Sequence, residues 1–382
     1  MKAFRIFIAI ACIALAIGFG VSFFKHKSAS STPVDVNSTH KAKKDIASTY
    51  KAFTKTQTQG DAYIILIELE NYLQSLDVET ATKKIMDYLN QGDDIATGLP
   101  FMVSPDHTLD AAPTLRVYLL DQLNQINPDA SAKYAKTIFE TSKASDEWAI
   151  ALKSYAADYD GHIEQDTYFT QQLKAFLNND SWLANPSIGY LQAFDALVYR
   201  GGNTFVLNLC NLAIESNHPA IAYASRLAID RLAQRDYTTT MQVLLDNPEE
   251  LESVPKLRAF IFARGDVRDP KQKDIVEQYI FREDISNQEL IAFGSVFPNL
   301  NRDISYNLLT QEEKVALESY ADQDLASLQF VQALIKEPRA RNDKEVFQTL
   351  NLAQERLEEI KESIERGQKQ SAKRNTAKIS SN

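Results

Sequence analysis

Oxygen-bearing side chains lie close together in residues 158–164, between two helical patterns. Aligned with a calcium-binding loop, Asp158 and Asp160 take the third and fifth ligand positions. The first position is then Ala156 and the last is Thr167, where a calcium loop needs carboxylates. The loss of these two ligands removes much of the coordination. We therefore interpret the segment as a polar turn between helices.

Two segments match the serine–x–x–lysine spacing of penicillin-interacting serine enzymes: Ser48 with Lys51, and Ser253 with Lys256. The companion S-D-N and K-T-G motifs of those enzymes are missing from the sequence. The G-x-S-x-G elbow, the P-loop and the dinucleotide-binding glycine pattern are missing from its globular part. A four-residue pattern this loose arises often by chance, so we assign no catalytic residue.

Histidine and cysteine side chains are too scattered to predict a metal site. The histidines include no H-E-x-x-H pair, and they are His26, His40, His107, His162 and His218. Cys12 lies in an apolar run and Cys210 lies among leucines, as expected for small hydrophobic side chains. We predict no metal-binding residue, no cofactor-binding residue and no cofactor.

An apolar segment near the amino terminus predicts attachment to a membrane. The 19 residues from Ile6 to Phe24 contain no charged side chain. About 20 apolar residues span a bilayer as a helix, whereas the apolar region of a cleavable signal has about 7–15. We predict a retained single-pass anchor, or signal-anchor, over residues 1–27. Cleavage near Ser28 is the alternative.

Charges on the two sides of this anchor give opposite indications of its orientation. Lys2 and Arg5 precede it, as at the start of an export signal. Five lysines between positions 25 and 44 follow it, and the positive-inside rule taken literally places the domain in the cytoplasm. Residues 28–39 are typical of a flexible spacer. We favour an extracytoplasmic domain, either periplasmic or at the cell surface.

The composition favours a folded helical protein. The chain has 382 residues, of which 44% are hydrophobic, and it contains only 12 Gly and 12 Pro. Few turn-forming residues argue against many short strands, and plentiful Ala, Leu, Gln and Glu favour helices. The formal net charge of −10 argues against nucleic acid as a partner.

Apolar residues recur at steps of three and four, as on one face of a helix, and Leu66, Leu69 and Leu73 are an example. Helix-opening signals accompany these faces, at Asn127-Pro128, Asn185-Pro186, Asn247-Pro248, Ser286/Glu289 and Thr310/Glu313. We predict an all-α domain over residues 40–340. Residues 63–69 and 237–245 also suit strands, but we assign both to helices.

Helix starts marked by proline recur at Pro186, Pro219 and either Pro248 or Pro255. Successive short helices with short connections are typical of an α-solenoid, in which each helical hairpin buries its apolar face against its neighbours. Residues 218–228 resemble the second helix of a HEAT-type helical repeat, because Pro219 opens a run of small and aliphatic residues. The resemblance covers only part of the chain and implies a binding surface without chemistry.

A further amphipathic helix is predicted over residues 341–366. Its apolar seam follows a three–four spacing and consists of Leu350, Ala353, Leu357, Ile360 and Ile364. The seam fits a helix docked on the domain or a short coiled coil. With the small residues Ala16 and Gly20 in the anchor, it also makes a homo-oligomer an alternative. Residues 367–382 predict a disordered basic tail.

These features favour a membrane-anchored helical scaffold that binds another protein. Two other interpretations stay open. One is a membrane-tethered enzyme with an unrecognised carboxylate-based site, which requires a cleft holding two convergent carboxylates of perturbed pKa. The other is a structural oligomer formed through the C-terminal helix.

Overall fold

The computed structural model describes residues 45–157, 166–301, 308–309 and 317–379, which belong to one compact unit. The predicted anchor from Ile6 to Phe24 and the spacer over 28–39 lie outside these residues. The predicted helix start at Thr310 and Glu313 also lies outside them. Within the described ranges, no helix combines the length and the apolar character needed to cross a bilayer.

The described chain is mainly helical, as predicted. Its first ten α-helices are α1 (Ile46–Phe53), α2 (Gln59–Gln74), α3 (Val78–Gln91), α4 (Leu115–Ile126), α5 (Pro128–Thr141), α6 (Ser145–Ala157), α7 (Thr167–Leu177), α8 (Asp180–Ala184), α9 (Ile188–Gln192) and α10 (Phe194–Ala196). A π-helix (Leu197–Gly201) and a 3-10 helix (Gly202–Phe205) follow. The remaining α-helices are α11 (Val206–Glu215), α12 (Pro219–Arg235), α13 (Tyr237–Asp246), α14 (Pro255–Phe262), α15 (Pro270–Ile280), α16 (Asn287–Val296), α17 (Leu317–Leu334), α18 (Pro338–Asn342) and α19 (Lys344–Ile379).

One antiparallel strand pair lies between α3 and α4. It consists of β1 (Met102–Val103) and β2 (Leu109–Ala111). Met102 pairs with Ala111 and Val103 pairs with Leu109, with an irregularity between the two pairs. This hairpin was not predicted from the sequence. The two segments that also suited strands, 63–69 and 237–245, lie in α2 and α13, as predicted.

Side chains at two of the predicted caps accept hydrogen bonds from the first turns of their helices. Asn127 Oδ1 accepts from Ala130 N at 3.1 Å, and Ser286 Oγ accepts from Glu289 N at 3.2 Å. The second half of the capping box predicted at Ser286 does not form. The Glu289 carboxylate instead binds Arg258, because a two-point ion pair is stronger than one contact with a backbone amide.

Two predicted proline starts are displaced along the chain. After Pro186, α9 begins at Ile188 with the Ser187 hydroxyl as its cap. The Asn247 side chain donates to the Val243 carbonyl at the end of α13, at 2.8 Å. The next helix, α14, begins at Pro255, the other of the two predicted prolines.

Helices that follow one another in sequence pack together along much of the chain. Thus α1 packs on α2, α3 on α4, α5 on α6, α11 on α12, and α12 on α13. Towards the carboxyl terminus, α16 packs on both α14 and α19. Stacked aromatic rings contribute there, with the Phe262 and Tyr279 centroids 4.0 Å apart. The resulting apolar core is continuous over the described residues.

The seam of the C-terminal helix is used within the chain. Leu350, Ala353 and Leu357 are buried, and α19 packs on α16, α17 and α18. A homo-oligomer formed through another surface of the chain stays a prediction. The helix also continues to Ile379, beyond the end predicted at residue 366. One exposed glycine, Gly367, costs a helix only about 1 kcal/mol, and the Gln, Lys, Ala and Arg that follow favour its continuation.

Candidate functional site

Two helices and the β-hairpin surround a cavity of about 630 Å³, which we call the hairpin pocket. Leu66 of α2 lines it, and each of the two helices contributes three further side chains at i, i+4 and i+7, so that one face of each is turned to the cavity. These side chains are Tyr63, Ile67 and Glu70 from α2, and Tyr118, Gln122 and Gln125 from α4. The hairpin forms the third wall and contributes Met102, Ser104, Pro105, Asp106, Thr108, Leu109 and Asp110.

The loop between β1 and β2 is held by hydrogen bonds to the carboxylate of Asp106. The hydroxyls of Ser104 and Thr108 both donate to it, as does the Thr108 amide at 3.3 Å. These bonds, first that of Ser104 and then that of Thr108, lower the pKa of Asp106 to about 2. His107 closes the turn with a φ of 68°. The loop therefore presents an ionised carboxylate at neutral pH.

Buried polar groups attach the hairpin to the helices beneath it. The amide of Leu109 donates to Asp121 Oδ2 at 2.8 Å, and Gln125 Nε2 donates to the same oxygen at 2.9 Å. Lys153, from α6, donates to the other oxygen of Asp121 and to the carbonyl of His107. With several donors satisfied at one buried carboxylate, the position of the hairpin on α4 and α6 is closely determined.

The pocket is negatively charged. Glu70, Asp106 and Asp110 line it, and none of its described lining residues is a lysine or arginine. Burial, and after it the charge of Asp106, raises the pKa of Asp110. Burial also raises the pKa of Tyr118, and the nearby carboxylate of Glu70 adds to this effect. Such a cavity favours cations over phosphate and other anions.

Aliphatic side chains at the rim of the pocket are accessible to solvent. Ile67 is 54% exposed and Met102 is 37% exposed. The neighbouring Ile64 on α2 is 55% exposed. Adjacent exposed aliphatic side chains beside a polar cavity are a common feature of binding surfaces.

The sequence-derived candidates for nucleophilic chemistry lie away from this pocket. Ser48 donates through its hydroxyl to the Asp45 carbonyl at 2.8 Å, at the start of α1, and Lys51 is exposed. Ser253 and Lys256 are both exposed at the surface near the start of α14. The calcium-like segment 158–164 lies outside the described residues.

Histidine and cysteine have structural roles where the structure describes them. His218 Nδ1 accepts from Ala220 N at 3.3 Å and so caps α12. Cys210 is completely buried, and burial raises the pKa of its thiol to about 12, which makes it unreactive. Over the described ranges, no three His, Cys, Asp or Glu side chains are grouped as metal ligands would be.

None of the residues of the hairpin pocket was predicted from the sequence to be functional. A usable signal was present in the hairpin itself, where Ser104, Pro105 and Asp106 form a turn-rich stretch before the alternating residues Leu109–Ala111. The helical side chains gave no such signal. Tyr63 and Ile67 fit the same apolar spacing as the buried side chains of α2.

No protein-family model, curated protein sequence or solved structure matches this chain. Helix α12 begins at Pro219, where the HEAT-type resemblance of residues 218–228 places a helix start. The repeat family itself stays a prediction. Evidence about function therefore comes from the geometry of the hairpin pocket.

Proposed function

We propose that this chain is a membrane-anchored helical module that binds another protein at the hairpin pocket. The observation that supports this function is the combination of an exposed aliphatic rim, Ile67 and Met102, with a polar cavity fixed by buried hydrogen bonds. Protein interfaces commonly combine apolar contacts with a few fixed polar groups. A rigid scaffold also lowers the entropic cost of association.

The anchor and the helical array fit this role. The apolar segment from Ile6 to Phe24 would hold the module at the membrane, and residues 28–39 would separate it from the bilayer. Packing between successive helices supports a solenoid-like arrangement of hairpins, a form that commonly presents extended binding surfaces. We place the domain outside the cytoplasm, where its partner would be an envelope or exported protein.

A photo-crosslinking amino acid at position 102 tests this function in native membranes. We expect the full-length protein to capture one partner reproducibly from Met102, at the pocket rim. The same amino acid at Glu283, an exposed position outside the pocket, should capture that partner weakly or not at all. Failure to recover a reproducible protein from position 102 would remove the support for this function.

Protease protection of a C-terminal epitope tag tests the orientation. The outer barrier of the cells is opened while the inner membrane stays sealed. Digestion of the tag under these conditions is the result expected for an extracytoplasmic domain. Digestion only after detergent would place the domain in the cytoplasm and agree with the lysine-rich region between positions 25 and 44.

A carboxylate-based enzyme is the second candidate, because Glu70 and Asp110 line the same cavity and burial raises the pKa of Asp110. A protonated and an ionised carboxyl group are the pair that glycoside hydrolysis uses. If this is the function, the protein releases reducing ends from an oligosaccharide. Glu70→Gln and Asp110→Asn should then each abolish that release. If either variant still releases reducing ends, Glu70 and Asp110 are not the catalytic pair.

A further inference from the structure

We infer that the protein partner presents a lysine or arginine flanked by aliphatic side chains. In this arrangement the hairpin pocket binds the basic side chain together with the main chain next to it. The inference rests on the proposed function, because it specifies the chemistry of the partner at the same site. Three features of the pocket support it, namely its charge, one unpaired buried amide and its rim.

The first feature is negative charge that the protein leaves uncompensated. Asp110 is only partly buried, and its carboxylate accepts no hydrogen bond from any described residue. Asp106 receives only neutral donors, from Ser104 and Thr108. The lysine beneath the hairpin, Lys153, is already paired with Asp121. A cationic side chain entering the cavity would therefore meet carboxylates that have no other cation.

The second feature is Gln122, whose side chain lines the cavity although the residue is only 2% exposed. Its amide makes no hydrogen bond with any residue that the structure describes. A primary amide offers both a donor and an acceptor, and a peptide group offers the complementary pair. Gln122 thus indicates a ligand with a main chain rather than an isolated amine.

The third feature is the fit of the cavity and its rim. Its volume of about 630 Å³ accommodates one long side chain and the backbone next to it. Ile67 and Met102 at the rim would contact the aliphatic neighbours of that side chain. A saccharide could also bind the amide and carboxylates, but it has neither the positive charge nor the aliphatic branches that this site would select.

The test uses the full-length protein in native membranes with the photo-crosslinker at position 102. The captured partner is digested, and mass spectrometry maps the segment that carries the crosslink. We expect a lysine or arginine with aliphatic neighbours in that segment. The isosteric double variant Glu70→Gln/Asp110→Asn should lower the crosslinking yield about tenfold, and Gln122→Leu should also lower it.

The matched control is Glu252→Gln/Glu283→Gln, which removes two exposed carboxylates outside the pocket and should leave the yield unchanged. Circular dichroism verifies folding. Asp110→Asn alone changes one exposed side chain and serves as the second variant if the double variant is unstable.

The possible failures are distinguishable. If a protein is captured but the yield is unaffected by Glu70→Gln/Asp110→Asn, or the mapped segment lacks a basic residue, this inference is wrong while the proposed function stands. A glycan adduct in place of a protein adduct overturns both and identifies a saccharide site. If wild type captures no protein from position 102, the proposed function itself fails.

Discussion

The Nζ atom of Lys153 lies 2.6 Å from Oδ1 of Asp121, and both side chains are almost completely buried beneath the β-hairpin. The same ammonium group donates to the carbonyl of His107, and the second oxygen of Asp121 accepts from Leu109 N. One ion pair thus connects the hairpin loop to α4 and α6. Because this loop is a wall of the pocket, the shape of the pocket depends on charges beneath it.

Replacing Lys153 with Met is expected to lower the free energy of unfolding by about 3–5 kcal/mol, because it leaves the buried carboxylate of Asp121 without a cation. Adding Asp121→Asn should recover part of this loss, since the amide oxygen still accepts from Leu109 N. Urea unfolding followed by circular dichroism measures both effects. Lys83→Met, which breaks an exposed pair with Asp87, should change little. Equal stability of Lys153→Met and wild type would contradict the prediction.

Acid should weaken the hairpin through Asp106. Hydrogen bonds from Ser104 and then Thr108 lower the pKa of Asp106 from 3.8 to about 2 in the folded chain. Since the folded-state pKa is the lower one, the stability that these bonds contribute is fully present above about pH 4. It is lost as the pH falls towards 2. We expect the difference in urea midpoint between wild type and Asp106→Asn to decrease over this window. A difference that stays constant down to pH 2 would show that the bonds do not hold the carboxylate ionised.

Most helices were predictable because their signal is local. The three-to-four spacing of Leu66, Leu69 and Leu73 requires only that one helical face be apolar, and all three side chains are buried. The strand pair gave a weaker signal, the turn-rich stretch of Ser104, Pro105 and Asp106, because strands of two and three residues are too short for alternation to stand out. Its position depends on Asp121 and Lys153, whose sequence neighbourhoods give no indication of a hairpin.

The candidate site was not predictable for a related reason. Glu70 and Gln122 are far apart in the chain, and only the packing of helices and hairpin brings them to one cavity. Their local patterns are those of ordinary helical faces. The same applies to the buried pair of Arg258 and Glu289, since the sequence suggested a capping role for Glu289. These features depend on contacts between distant segments of the chain, and no spacing of residues in the sequence indicates such contacts.

Arg258 and Glu289 form a buried two-point ion pair, with Nε–Oε1 and Nη2–Oε2 distances both 2.7 Å. The Tyr279 hydroxyl donates to the same carboxylate at 2.6 Å. We expect Arg258→Met to lower the free energy of unfolding by about 3–5 kcal/mol, because Glu289 would be left as a buried unpaired charge. Tyr279→Phe should lower it by about 1.5–3 kcal/mol, through loss of a hydrogen bond to a charged group.

Urea unfolding of these two variants and their double variant measures the network. The effects should not be additive, since Arg258 and Tyr279 both donate to the carboxylate of Glu289. The matched control is Arg268→Met, which breaks a partly exposed pair with Asp266 and should have a small effect. Full additivity would indicate that the tyrosine and arginine stabilise the fold independently.

Gly294 lies where α16 is in close contact with α19, and this contact tests the docking of the C-terminal helix. A Cβ atom there would lie 2.6 Å from the carbonyl oxygen of Thr349 and 3.1 Å from its Cγ2. Since a backbone oxygen has little freedom to move, Gly294→Ala should destabilise the chain by about 1–3 kcal/mol. That cost exceeds the gain in helix propensity of about 1 kcal/mol from glycine to alanine.

The matched control is Gly60→Ala in α2, where the added Cβ would meet only the Thr58 hydroxyl oxygen, at 3.9 Å. With no steric conflict, the loss of conformational freedom in the unfolded chain should stabilise this variant by about 0.4–1 kcal/mol. Urea unfolding therefore should give shifts of opposite sign for the two glycines. If Gly294→Ala is as stabilising as Gly60→Ala, α19 is not held against α16 in solution. The seam of Leu350, Ala353 and Leu357 would then be free to form a coiled coil between chains. Opposite signs would show instead that the chain itself covers this seam, which makes the seam unavailable to a partner.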